Sequence, residues 1–429
     1  MNTNKSEDCD SEDCAVESFS IPKTVWILGA VSLFSNSASV IITALSPEFI
    51  INVLGGNKEI LGLIRGISES ISYLVKLFSG VISDWLGRRK VLILIGYLCA
   101  AFAKPIFAMC HGIKSYIAAQ LLERITNGLR DTPRDALIAD CSPKKLKGAS
   151  YGIRQSAAFI GSMVGSIACY FILSNCKFVN SGDSIRLVYW LAIIPILISV
   201  LFIYFGIDEP KNLVSLRHRK GFPIKKSDIK LLGQKFWYYL AICFLFMCAR
   251  YSESFMVLRA QEVGIPLSAV ALVLAVMHLF NAPTSKIVGS WSDKMDRKIF
   301  LEFGFCMMVV SCIILAFATE KWHVIVGVSV YGIHYGATQG TFYTMVSDYS
   351  PPQIKATSIG IFNLVCCFGM LISNVITGKL WDQPSGAYHA MIVNASIAFV
   401  AAIGLIFVKQ PKSIVARAPC TGDGKIAEF

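Results

Sequence analysis

Charge is what this sequence has least of. Asp, Glu, Lys and Arg make up 16% of its 429 residues, where a soluble protein carries about a quarter. The chain is 54% hydrophobic, with a mean hydropathy of +0.58. It contains no Gly-x-x-x-x-Gly-Lys-Ser/Thr loop, so ATP is not implied, and no cofactor is expected. No convergent nucleophile and base stand out, which argues against an enzyme. Fourteen cysteines are present, but no pair has zinc-ligand spacing, and no metal is expected. Cys99, Cys169, Cys243 and Cys306 sit singly in apolar stretches and read as small apolar residues. Cys9 and Cys14, in the acidic run Ser6 to Cys14, read as part of a solvated, disordered tail rather than a soft-metal site. The first twenty residues are polar and acidic, and the first apolar stretch has no cleavage pattern behind it. It reads as a span that stays in the protein.

What is present is apolar length. A hydrocarbon span needs roughly 20 mostly apolar residues. Twelve such stretches lie near 24–46, 60–82, 91–110, 115–138, 150–173, 187–207, 236–258, 268–290, 299–319, 322–346, 356–380 and 388–408. They predict an all-α polytopic membrane protein of twelve transmembrane helices in two six-helix bundles, with a lipid bilayer as partner. The organisation expected is an acidic tail over 1–20, an N-terminal bundle over 21–207, a basic cytoplasmic linker over 208–235, a C-terminal bundle over 236–408 and a tail over 409–429. Loops between alternate spans hold 18 Lys or Arg, against 6 in the opposite set. The positive-inside rule puts the first set and both termini in the cytoplasm of a plasma (inner) membrane protein. Short basic loops divided among spans fit acidic lipid headgroups and not nucleic acid.

The halves repeat. Gly80-x-x-x-Asp84-x-x-Gly87-Arg88-Arg89-Lys90 follows one apolar stretch, and Gly289-x-x-x-Asp293-Lys-Met-Asp-Arg297-Lys298 follows another, 209 residues on. Asp140 to Gly152 matches Asp348 to Gly360 at an offset of 208, which Gly128 and Gly336 share. Each half runs six spans, so the repeats are parallel and related by an axis along the membrane normal.

Charges inside spans are costly and mark a pathway or a pair. Arg65 and Glu69 are four residues apart on one helix and suit a pair. Glu123 and Arg124 lie near mid-membrane, and Arg250 and Glu253 are three apart. Each couple reads either as a coupling or substrate site or as a structural ion pair. A buried Arg stays charged and demands a carboxylate, so Arg124 calls for Glu69 or Glu123. Asn36, Tyr73, Gln120, His278, His334 and Gln339 are candidates to line a cavity, with Asn281, Asn363, Asn374, Tyr335, Phe342 and Tyr343 beside them. For both histidines the satisfied structural reading is preferred. Interior Arg124 and Arg250 tilt the solute toward an anion or zwitterion.

These motifs resemble those of the major facilitator superfamily over essentially all of residues 21 to 408. The segment Gly80 to Lys90 resembles its loop motif between helices two and three, and Arg124-Ile-Thr-Asn-Gly128 its fourth-helix arginine motif. Gly128 to Leu137 is similar to a bacterial, drug-efflux-like subgroup. The resemblance implies a monomeric secondary transporter of a small organic solute, driven by protons, with export favoured over uptake or facilitated passage. A non-transporting sensor of the same fold is the alternative class. The resemblance also implies that Asp84 and Asp293 latch the cytoplasmic side at the helices beginning near Ala356 and Gly148. The alternative is that the basic clusters only anchor loops. Arg124 is implicated in proton coupling or substrate contact. Three departures weigh against a standard drug antiporter: Phe34 to Val40 holds no acid, Arg65 stands where Glu is frequent, and Ser166 replaces the Pro that would follow Gly152, Gly161 and Gly165.

The charge count makes a direct prediction. In a cysteine-free background, a Lys220→Cys variant is labelled only from the cytoplasm and Lys177→Cys only from outside. The reverse pattern overturns the topology.

Overall fold

The computed structural model describes residues 21–86, 89–142, 146–175, 181–207, 229, 231–292, 295–351 and 354–408. The expected acidic tail with Cys9 and Cys14, nearly all of the linker, the C-terminal tail, and Gly87, Arg88 and Asp293 lie outside the described residues, as does the Asp84 side chain.

Every regular element among the described residues is helical. The first half comprises α1 (Lys23–Glu48), α2 (Lys58–Leu86), α3 (Arg89–Ala108), α4 (Ile113–Cys141), α5 (Lys147–Asn175) and α6, which runs in two pieces (Ser181–Leu191 and Ile193–Gly206). The second half comprises α7a (Gln234–Ala249), α7b (Glu253–Glu262), α8 (Leu267–Trp291), α9 (Arg297–Ala316), α10 (Lys321–Asp348), α11 (Lys355–Trp381) and α12 (Gly386–Ile406). Nine of these segments are long and apolar enough to cross a membrane by length and composition. α2, α4 and α10 fall short. α2 carries Arg65, Glu69 and Lys76, α4 carries six charges between Glu123 and Asp135, and α10 is rich in Gly, Tyr and other polar residues. Such helices are stable in a bilayer only when their polar faces turn inward.

Within the first half α1 packs on α5 and α6, and α2 and α3 on α4. Within the second, α7a packs on α11 and α12, α8 on α10, and α9 on α10 and α12. The halves meet along α2 with α11 and α5 with α8. These two seams exchange when each helix is advanced by six, as a two-fold relation between the halves requires. Ser46 and Ser254 are 208 residues apart and touch, Oγ to Oγ, at 3.3 Å. Equivalent residues can meet only near the axis that relates them, so this contact marks the pseudo-two-fold.

The repeated glycines and basic clusters act within each half. A Cβ on Gly128 would sit 2.6 Å from the Cβ of Val75 on α2, and one on Gly336 2.7 Å from the Asn281 carbonyl on α8. Both glycines therefore permit the same close helix pair. Arg89 pairs with Asp140 at 2.8 Å, and Arg297 with Asp348 at 2.6 Å. Both partners keep the 208 offset, so the basic cluster and the downstream loop motif are two ends of one staple. Lys90 donates to the Tyr204 carbonyl at 3.1 Å, and Lys298 to that of Ile406 at 2.6 Å. Each ammonium thus caps the carbonyl end of the last helix in its bundle. Gly289 has open space where a Cβ would be, so it makes no close helix contact in this conformation. Gly161 and Gly165 bring α5 against Leu33 and Ser37 of α1, and Ser37 donates to the Gly161 carbonyl at 2.7 Å.

On the face away from the basic clusters the halves are zipped together. Lys58 pairs with Glu262 at 2.7 Å, and the Trp381 indole donates to the same carboxylate at 2.9 Å. Asn57 donates to Asp382 at 3.0 Å and Gln261 to Glu48 at 2.9 Å. Beneath these, a Cβ on Gly62 would lie 2.7 Å from the Gly378 Cα. Gly62→Val therefore wedges α2 from α11. Spin-label distances across this face should lengthen in the variant, and an unchanged distribution means the seam does not depend on that glycine.

Candidate central cavity

Between the halves lies a cavity of about 2240 Å³. Its walls come from α1, α2, α4 and α5 on one side and α7, α8, α10 and α11 on the other. The lining runs from mid-membrane to Lys76, Asp135, Gly152, Lys286 and Gly360, at the helix ends that carry the basic loops. The opposite end is sealed by the zipper.

The charges on α2 and α4 do not pair along the helix. Arg65 is fully buried and turns away from Glu69 to donate to the Ser46 hydroxyl, leaving its Nε and Nη1 without a partner among the described residues. Glu69 instead reaches across to Arg124, 3.0 Å away, and both line the cavity. Of the two carboxylates open to Arg124, Glu69 is thus the partner. Glu123 belongs to Lys104 of α3, at 2.5 Å, and accepts from Ser39 of α1 at 3.2 Å. Lys104 and Glu123 are 1% and 5% exposed at the side chain, so this is a buried ion pair on the edge of the cavity. Lys104 is missing from the expected charges, although a Lys deep inside an apolar stretch is the signal that finds it.

The second half differs. Helix 7 is interrupted at Arg250-Tyr251-Ser252, with Arg250 and Ser252 in extended geometry (ψ 114° and 145°). The expected Arg250–Glu253 pair does not form. None of the ion pairs among the described residues includes either residue, because the extended segment carries Arg250 off the helix to which Glu253 belongs. Both line the cavity. The Arg250 guanidinium lies over the Tyr335 ring, 4.3 Å from its centroid.

Asn36, Tyr73, His278, Gln339, Asn363, Tyr335 and Tyr343 line the cavity. His278 also stacks on Phe159 across the α5–α8 seam at 5.8 Å. Five expectations need correcting. Asn281 is fully buried on α8 and is not among the lining residues. Gln120 is buried at 1% exposure and is not among the lining residues. His334 is fully buried, with Nδ1 2.9 Å from the Gly304 carbonyl on α9. Phe342 packs with Phe246 and Phe305 in the core. Asn374 holds the helix 7 break through the Ser252 amide at 2.8 Å. Arg130, Asp131, Arg134, Asp135 and Arg154 add a charged rim on the first half's side of the mouth. There Asp131 bridges Arg134 at 3.2 Å and Lys76 at 3.4 Å.

The model of the Major Facilitator Superfamily matches residues 25–374. The chain is 26% identical over 396 residues to an uncharacterized MFS-type transporter of Methanocaldococcus jannaschii, a match covering 90% of this chain and 95% of that one. It is 23% identical over 370 residues to a glucose transporter of Staphylococcus epidermidis, covering 77% and 80% respectively. Among solved structures it resembles that of a mutant form of the nucleoside transporter NupG. That likeness has a TM-score of 0.76 at 10% identity over 89% of this chain and 99% of the other, and it bears on fold alone.

The Lys104–Glu123 pair yields a stability prediction. Removing one member of a buried pair leaves an uncompensated charge and costs about 3–5 kcal/mol. Lys104→Met should lower the Tm in detergent sharply, and Lys104→Met with Glu123→Leu should recover most of the loss. Additive losses would mean the two are not coupled.

Proposed function

Because the chain belongs to the major facilitator superfamily, we propose that it is a secondary active transporter of a small organic solute in the plasma (inner) membrane, proton-coupled, working by alternating access and running as an exporter. It is a multi-pass membrane transporter by family and fold; the coupling, direction and location are our reading. Cytoplasmic basic loops make the cavity inward-facing and the zipper the closed outer gate. Export follows from the likeness of Gly128 to Leu137 to drug-efflux-like members.

The observation that carries the coupling is the Glu69–Arg124 pair, 3.0 Å apart in the cavity wall and 23% and 18% exposed at the side chain. It joins two helices of one bundle where protons and solute both reach it. A proton on Glu69 cancels the attraction and frees Arg124, and its loss restores the pair. A pH gradient can therefore bias one local equilibrium, and any conformation that prefers the open pair is biased with it. Glu123 is a poorer carrier, since Lys104 and Ser39 already satisfy it inside the protein. The latch reading of Asp84 and Asp293 is kept as a proposal for the state in which the basic face closes. In the present conformation Arg89, Lys90, Arg297 and Lys298 serve the intrabundle staples.

In proteoliposomes Glu69→Gln should fold, bind and perform solute counterflow while losing accumulation driven by an imposed pH gradient. Normal pH-driven transport in this variant refutes coupling at Glu69. A protein that fails to fold instead assigns the pair a structural role.

A further inference from the structure

We infer that the break in helix 7 is the substrate-recognition element, and that it takes a zwitterionic aminocarboxylate, with the carboxylate on Arg250 and the ammonium on Glu253. The inference rests on the transport reading and names the solute class for the same cavity.

The break is a built feature. The helix ends at Ala249 and restarts at Glu253 with Ser252 as its N-cap. Its exposed backbone groups are met from two neighbouring helices. Asn374 of α11 accepts from the Ser252 amide at 2.8 Å while donating to the Met370 carbonyl at 2.8 Å. Tyr331 of α10 donates to the Tyr251 carbonyl at 3.0 Å. An interruption held from both sides at mid-span is the arrangement by which a transporter presents a helix N-terminus and unwound backbone to a solute.

Arg250 supplies the independent observation. It is 6% exposed, lines the cavity, and has no carboxylate within 4.0 Å among the described residues. Its guanidinium lies over the face of Tyr335 and also hydrogen-bonds that side chain, contacts that support a guanidinium without neutralising it. The other buried arginines differ in place: Glu69 already matches Arg124, Arg65 is not among the cavity-lining residues, and Arg130 lies over Tyr97 in the charged rim beside Asp131. A buried cation without a counter-ion, beside the positive end of α7b, calls for an anion from outside the protein. The fork of a guanidinium matches a carboxylate in two parallel hydrogen bonds. Glu253 opens α7b three residues on, lines the same cavity, and likewise has no cation within 4.0 Å among the described residues. The protein thus holds opposite charges close together yet unpaired with each other, which suits a ligand carrying both. Tyr73, Tyr335 and Tyr343 stand around them and offer ring faces to the ligand's body.

The test is made on the purified full-length protein. A thermal-shift screen uses the proteinogenic amino acids and their dipeptides, and each hit is followed by its C-terminal amide and its des-amino analogue. At least one zwitterion should bind, and masking either end should weaken it roughly tenfold or more, the range for a hydrogen bond to a charged group. Arg250→Gln should weaken the parent by a similar factor and leave the amide unchanged. Glu253→Gln should weaken the parent and leave the des-amino analogue unchanged. Absence of any zwitterion among the binders overturns the inference, as does equal binding of amide and parent, or an equal loss of both in Arg250→Gln. If Arg250→Gln does not fold, the Glu253→Gln cycle and the masked ligands on the native protein decide. Counterflow separates the two readings. A zwitterion that binds but never crosses sinks transport and leaves the site standing. Flux of a solute without a carboxylate, unchanged in Arg250→Gln, sinks the site and leaves transport standing.

Discussion

A charge placed in hydrocarbon must find a partner, and most of this architecture answers to that constraint. Leaving one at mid-membrane costs several kcal/mol, so the charged faces of α2 and α4 turn away from lipid. Lys104 and Glu123 neutralise each other in the interior, and Arg124 and Glu69 do so at the cavity wall. The cavity exists because helices that cannot face lipid on that side surround it. Arg65, Arg130, Arg250 and Glu253 depart from this rule among the described residues; Arg250 and Glu253 do so side by side at the cavity, and departures from an otherwise consistent pattern concentrate at functional sites.

Duplication set the frame and divergence divided the work. The frame is what both halves retain: the Arg–Asp staples, the lysines on the terminal carbonyls, and the glycines that let α4 lie on α2 and α10 on α8. The divergence lies along the cavity. At the shared offset of 208, Glu123, Arg124, Asp131 and Asp135 of α4 become Tyr331, Gly332, Gln339 and Tyr343 of α10. α1 runs unbroken through the depth at which helix 7 is interrupted. One bundle holds most of its charges along the cavity in ion pairs. The other has tyrosines and a glutamine there, with Arg250 outside any ion pair among the described residues.

The twelve-helix fold and its internal two-fold are legible in the sequence, because hydropathy over about twenty residues and a fixed repeat offset are properties of the chain itself. Partner choice is less so. Arg65 and Glu69 have the spacing of a helical pair, but neighbouring helices provide Ser46 and Arg124, and interhelical contacts outweigh an i,i+4 pairing worth only a few tenths of a kcal/mol. Arg250 and Glu253 defeat the spacing argument because Ala-Arg-Tyr-Ser-Glu contains neither Gly nor Pro to announce a break. The visible sign is Ser252 ahead of Glu253, an N-cap inside an apolar stretch. Gln120 and His334 show a simpler limit. Composition identifies a polar residue in a span, while the helix face it occupies depends on a rotation that packing decides.

The interruption in helix 7 also has a mechanical meaning. α7b is tied to both bundles: to the opposite one through Ser254 to Ser46 near the axis and through Gln261 and Glu262 to Glu48 and Lys58, and to its own through Arg259 to the carbonyls at the end of α9 and Glu262 to Trp381. α7a is fastened to its own bundle, along α11 and α12. The extended triplet is therefore a joint between a rod held along its own bundle and a rod that bridges the two. A rod of ten residues is about 15 Å long, so a tilt of about 20° at the joint swings its tip by roughly 5 Å, enough to unfasten an ion pair. Flexing at this joint would work the zipper residues on α7b directly. A solute on the proposed Arg250–Glu253 site would bridge that joint and set its angle.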